Sequence, residues 1–65
     1  MHKVYYSVTE LDAGFRNVEL FNLDGSGNPI KFADYETTLK DTKKSITYYL
    51  EDNGYGDVYH ELIQL

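Results

Sequence analysis

The stretch TLKDTKKSITYYLEDNG, residues 38–54, decides how the rest of this chain folds. Thr38 with Asp41 three residues later is close to the capping box with which many helices begin. Core-type side chains then recur at spacings of three and four residues, which places them on one face of a helix. They are Leu39, Thr42, Ile46, Tyr49 and Leu50. Asn53-Gly54 ends the pattern, because glycine readily adopts the left-handed conformation that follows helices.

Length and composition restrict the rest of the molecule. Sixty-five residues form one small domain. Its single core is expected to supply only about 3 to 5 kcal/mol of stability unless oligomerisation or another stabilising interaction contributes. The absence of cysteine excludes disulfides, thiolate metal sites and cysteine nucleophiles. The first residues lack an apolar run of signal-peptide length, and no stretch is long enough to span a membrane. We therefore expect a soluble, cytoplasmic protein.

The charge of the chain is acidic and uneven. Eleven acidic and six basic residues give a net charge of −5, which disfavours direct binding to nucleic acid through phosphate contacts. Residues 45–65 contain no lysine or arginine and four acidic residues: Glu51, Asp52, Asp57 and Glu61. The chain also has seven tyrosines and three phenylalanines. Because tyrosine tolerates both water and burial, this composition suits a half-exposed sheet or a recognition surface.

Three strands are predicted before the helix. Residues 2–9 alternate and are rich in β-branched and aromatic side chains, and residues 15–23 and 30–35 have similar composition. Residues 10–14 and the DGSGNP sequence of residues 24–29 have the composition of hairpin loops. In the second strand Val18 and Leu20 share one face, whereas Phe21 and Leu23 share the other. Either a bulge lies near Leu20-Phe21, or both faces of the sheet carry apolar side chains.

The last eleven residues fit two descriptions. As a short helix the segment would begin at Asp57, with Val58, Leu62 and Leu65 at helical spacing. As a strand it would return beside the sheet, parallel to a neighbour, and we favour the strand. The predicted fold is therefore α+β, in the order β-β-β-α-β. It consists of a three-stranded antiparallel meander, one helix packed on one sheet face, and a fourth C-terminal strand.

One helix can cover only one face of this sheet. We expect the covered face to carry Val4, Tyr6, Val8, Val18, Leu20, Ile30 and Phe32. Simple alternation then places Tyr5, Phe21 and Tyr35 on the opposite face, where the chain has no second layer to cover them. Three aromatic side chains on this face indicate either an interaction surface or burial under the C-terminal tail or a bulge-shifted strand.

Motifs for metal binding and catalysis are incomplete. Residues 22–28 imitate the first half of a calcium loop, but the twelfth position is Ala33 instead of glutamate. His60-Glu61 begins a zinc-protease motif whose second histidine is replaced by Gln64. His2 could approach His60 if their strands were neighbours, although a histidine near a chain end is usually solvated. No nucleophile elbow or phosphate-binding loop is present. We predict no enzymatic activity, no cofactor and no metal.

Two functions fit these features. The first is a non-catalytic protein-interaction module, self-associating as a homodimer or binding a protein partner through Tyr5, Phe21 and Tyr35. The second is a small acidic inhibitor, of a kind common among phage accessory proteins, that occupies the basic nucleic-acid-binding groove of a nuclease or defence enzyme. It would present Glu51, Asp52, Asp57 and Glu61. A third, weaker alternative is an aromatic platform for single-stranded nucleic acid, which the acidic surplus disfavours.

Overall fold

The structure, a computed structural model, describes residues 2–56 and 60–65. Its elements are β1 (His2–Glu10), a 3₁₀ turn (Asp12–Gly14), β2 (Arg16–Leu23), β3 (Pro29–Thr37), α1 (Thr42–Asp52) and β4 (His60–Gln64). The predicted α+β order, β-β-β-α-β, is confirmed, and the C-terminal segment is a strand. The predicted roles of Asp57 and Val58 lie outside the described residues.

The four strands form one mixed sheet in the order β3-β2-β1-β4. Strands β1, β2 and β3 are the predicted antiparallel meander, whereas β4 pairs in parallel with β1. The connection from β3 to β4 passes through the helix, which is the crossover that a parallel strand requires. Strands β3 and β4 are the two edges of the sheet.

The helix begins later than the sequence pattern predicts. Strand β3 continues to Thr37, and residues 38–40 link it to the helix. Asp41 is the N-cap, because its side chain accepts a 3.2 Å hydrogen bond from the Lys44 amide. The predicted capping box starting at Thr38 is therefore wrong. The predicted end is confirmed, because Asn53 is the C-cap and Gly54 follows with φ of +87°.

The core lies between one sheet face and the helix. Its buried apolar members are Val4, Tyr6, Val18, Leu20, Ile46 and Leu50. Around them pack the partly buried Val8, Phe32, Ala33, Tyr35, Tyr49 and Leu62. Two predicted core residues are exposed instead. Ile30 lies near the start of β3 and is 54% exposed, and Leu39 lies in the linker before the helix.

A β-bulge in β3 changes which side chains reach the core. Leu20 pairs with Ala33, but Phe21 pairs with Lys31, so Phe32 is an extra residue opposite β2. Because side chains alternate along a strand, one extra residue exchanges the two faces beyond it. Tyr35 therefore faces the helix, and its predicted position on the opposite face is wrong. Strand β2 pairs regularly with β1, so its apolar side chains do lie on both faces.

Candidate interaction face

The sheet side opposite the helix, which we call the open face, carries an apolar row. Phe21 of β2 pairs with Tyr5 of β1, and Tyr5 pairs with Ile63 of β4. The residues that directly precede them along the strands, Val4, Leu20 and Leu62, are buried in the core or packed against it, so alternation directs the three side chains of the row away from the helix. All three are half-buried. The apolar row thus crosses three adjacent strands.

Two further apolar residues extend the row by the same alternation. Leu23 lies two residues beyond Phe21, and Leu65 lies two residues beyond Ile63. The backbone of Leu65 continues the strand pairing, because its amide donates a 2.8 Å hydrogen bond to the Tyr6 carbonyl. Leu23 is 41% exposed and Leu65 is 55% exposed. A contiguous apolar surface on a small protein is a feature of interaction sites.

A charged network borders the apolar row on the β3 side. Lys31, which pairs with Phe21, places its Nζ 3.1 Å from Asp34 and 3.5 Å from Glu19. Ser7 Oγ lies 3.4 Å from a Glu19 carboxylate oxygen. The hydrogen bond and charge of Asp34, followed by those of Glu19, raise the pKa of Lys31. Polar groups at this border suit the rim of a protein interface.

Tyr35 joins the sheet to the helix and takes no part in the open face. Its hydroxyl and Ser45 Oγ are 2.9 Å apart, and its ring is stacked on Tyr49 with centroids 4.5 Å apart and planes 7° apart. Burial is the main cause that raises the pKa of the Tyr35 phenol. Of the three aromatic residues predicted on this face, the structure brings Tyr5 and Phe21 together and removes Tyr35.

The predicted acidic residues are divided between the two sides of the molecule. Glu51 and Asp52 end helix α1, on the covered side of the sheet. Glu61 pairs with Lys3 between β1 and β4, and alternation places it with Ile63 on the open face. Asp57 lies outside the described residues. The described acids therefore do not form one continuous acidic patch.

The two edges of the sheet differ in how they are protected. Strand β3 begins with Pro29 and contains the bulge at Phe32, which both hinder pairing with another strand. Strand β4 has neither device. Because the Leu65 amide points to β1, the backbone groups of Leu62 and Gln64 point outward. The β4 edge, next to Ile63, is the more accessible to a partner.

The structure also assigns the DGSGNP sequence to a tight loop. One carboxylate oxygen of Asp24 accepts hydrogen bonds from the Ser26 amide at 2.8 Å and the Asn28 amide at 2.9 Å. These backbone hydrogen bonds, led by that from Asn28, lower the pKa of Asp24. Gly27, with φ of +83°, supplies the positive φ that this turn needs. The acidic and polar residues here are turn formers, as the favoured interpretation of the sequence predicts.

Within residues 2–56 and 60–65, no group of three or more histidine, cysteine, aspartate or glutamate side chains could hold a metal ion. No helical segment in this described part has the length and apolar character needed to cross a membrane. Comparison of the chain with protein-family models, curated proteins and solved structures finds no match.

Sequence reasoning missed Ile63 and Leu65 as members of the open face. The signal was present, because alternation in a C-terminal strand separates Ile63 and Leu65 from Leu62. What the sequence did not indicate was that β4 pairs with β1, which aligns Ile63 with Tyr5.

Proposed function

We propose that this protein is a non-catalytic protein-interaction module that binds through the apolar row Phe21-Tyr5-Ile63. The observation that carries the proposal is the register of these three side chains across adjacent strands, on the sheet face that the helix does not cover. Half-buried aromatic and aliphatic side chains form the centre of many protein interfaces. We place the protein in the cytoplasm, in keeping with its lack of cysteine.

A second copy of the chain is the first partner to test. Pairing two open faces would give each sheet the second layer that its own chain lacks. Such an interface needs about 800 Å² from each partner, so the apolar row would be its centre. Leu23, Leu65 and the Lys31 network would form its rim. A different protein with an apolar surface of similar size is the other version of the same proposal.

The test replaces the three side chains of the apolar row with a residue that also favours strands. The variant is Tyr5→Thr/Phe21→Thr/Ile63→Thr, because threonine retains β-propensity. The control variant Ile30→Thr/Leu39→Thr/Tyr48→Gln removes three exposed apolar side chains that lie outside the open face. Circular dichroism checks that both variants are folded. Sedimentation over a concentration series, followed by capture of binding proteins and direct titration of those identified, measures association.

We expect the row variant to lose self-association or partner binding, and the control variant to keep it. The single substitution Ile63→Lys, at the edge strand, repeats the test should the triple variant not fold. The proposal would be overturned if the wild-type protein stays monomeric and the row variant binds the same partners as tightly as the wild type does. Equal loss in the control variant would also overturn it, since binding would then not depend on this face.

A further inference from the structure

Two histidines distant in sequence lie side by side in the sheet. His2 begins β1, His60 begins β4, and the two residues are paired by the parallel register of these strands. Both lie two residues before core positions, since His2 precedes Val4 and His60 precedes Leu62. Alternation therefore places both imidazoles on the helix side of the sheet, away from the apolar row. Their ring centroids are 5.6 Å apart with an interplanar angle of 87°.

The sequence motifs alone predict no metal, but from this pairing we propose that His2 and His60 together bind a divalent transition-metal ion, of which Zn²⁺ is the representative. A zinc–nitrogen bond of about 2.0–2.1 Å places the ion about 3.2 Å from the centroid of each imidazole, so tetrahedral geometry sets the two centroids about 5.2 Å apart. The observed separation of 5.6 Å differs from this by about 0.4 Å. Binding then requires the two side chains to rotate so that one nitrogen of each ring is directed at a shared ion.

The two imidazoles are available for this role. His2 is exposed and His60 is half-buried, so the pair is reached from solvent. Among the described residues, neither ring takes part in a side-chain hydrogen bond or an ion pair. Their strand pairing fixes the spacing of the two side chains in advance. A metal ion would therefore find two preorganised ligands.

The ligand set determines which metals the site takes. No third histidine, cysteine or carboxylate joins the pair within the described residues, so the two imidazoles are the protein ligands that the proposal assigns. Imidazole nitrogen favours Zn²⁺, Ni²⁺ and Cu²⁺, whereas Mg²⁺ and Ca²⁺ require oxygen ligands. This preference separates the proposed site from general attraction of cations to a chain of net charge −5.

The test measures Zn²⁺ binding to the full chain by calorimetry, with imidazole nitrogen resonances recorded by NMR. The decisive variant exchanges two residues of β4, His60→Gln/Gln64→His, so that composition and net charge are unchanged. It moves the second histidine about 13 Å along the strand, since a strand advances about 3.3 Å per residue. His2→Gln removes the other ligand. We expect each variant to bind Zn²⁺ about tenfold or more weakly than wild type.

A competition experiment completes the test. Excess Mg²⁺ or Ca²⁺ should not displace the bound Zn²⁺. Zn²⁺ affinity unchanged by the exchange variant would show that the pair is not the site, and would overturn the proposal. Displacement by Mg²⁺ would overturn it as well, since the ion would then be held by surface carboxylates.

Discussion

The phenol of Tyr35 in strand β3 and the hydroxyl of Ser45 in helix α1 are joined by a hydrogen bond of 2.9 Å. Ser45 is only 5% exposed, and it is the one buried polar residue in the described part of the chain. The Tyr35 ring also stacks on Tyr49, one helical turn further along. Tyr35 therefore attaches an edge strand to the only α-helix of the described residues, in addition to filling space.

The first prediction concerns this hydrogen bond. Tyr35→Phe keeps the stacked ring but removes the phenol, so we expect the free energy of unfolding to fall by about 1 kcal/mol. Ser45→Ala should have a similar effect, and the double variant should cost less than the sum of the two. Urea unfolding of the four proteins measures the coupling. Tyr48→Phe, at an exposed helix position, is the matched control. Strictly additive effects of Tyr35→Phe and Ser45→Ala would show that the two hydroxyls do not interact.

The second prediction concerns alkaline pH. Burial raises the pKa of Tyr35 above that of an ordinary tyrosine, so the folded protein holds this proton at pH values where the unfolded chain has lost it. The contribution of Tyr35 is therefore fully present below about pH 10 and is lost as the pH rises through the folded-state pKa. Tyrosinate absorbance followed during alkaline titration should show a late component in wild type that Tyr35→Phe lacks. Identical titration curves for the two proteins would contradict the prediction.

The third prediction separates two positions for the start of the helix. Asp41→Ala removes the side chain that accepts from the Lys44 amide, and we expect a loss of about 1 kcal/mol in the free energy of unfolding. Thr38→Ala, at the position that the sequence pattern favours, should change it by less than about 0.5 kcal/mol. Thermal or urea unfolding compares the two. A larger loss of unfolding free energy from Thr38→Ala than from Asp41→Ala would show that Thr38 is the N-cap.

The fourth prediction compares one chemical change at a buried and an exposed site. Ile46 has no exposed surface, whereas Ile30 is 54% exposed. Ile46→Val should destabilise the protein by about 0.5 to 1.5 kcal/mol, because the lost methylene leaves a cavity in the core. Ile30→Val should have a much smaller effect, because water fills the space. Since a chain of this size is stable by only about 3 to 5 kcal/mol, the difference should be visible as a lower urea midpoint. Equal midpoints would contradict the assigned core.

The fifth prediction distinguishes the open face from an acidic inhibitor surface. Glu61 lies on the open face, whereas Glu51 and Asp52 lie at the end of the helix. Binding through the apolar row should respond to Glu61→Lys and be insensitive to Glu51→Lys/Asp52→Lys. Measurements of partner binding at low and high salt decide this, because surface charges act more weakly as salt screens them. If Glu51→Lys/Asp52→Lys weakens partner binding and its dependence on salt, the result would favour the acidic-inhibitor function instead.

The sequence by itself determined the order of the elements and most of the core. Alternation in strands, the three- and four-residue spacing in the helix, and the DGSGNP loop are local patterns, and local patterns specify local structure. Ile46 and Leu50 could be assigned to the buried helix face because their spacing matches the helical repeat. The C-terminal strand followed from the same patterns, although a short helix fitted almost as well.

Only the tertiary structure decided which side chains share a face or a neighbour. One extra residue at Phe32 places Tyr35 on the helix side of the sheet. Strict alternation along β3 cannot reveal this bulge, because a residue is extra only in relation to its pairing with the partner strand. The pairing of β4 with β1 likewise brings Ile63 to Tyr5 and His60 to His2. These neighbours are set by strand register, which depends on contacts between residues distant in sequence.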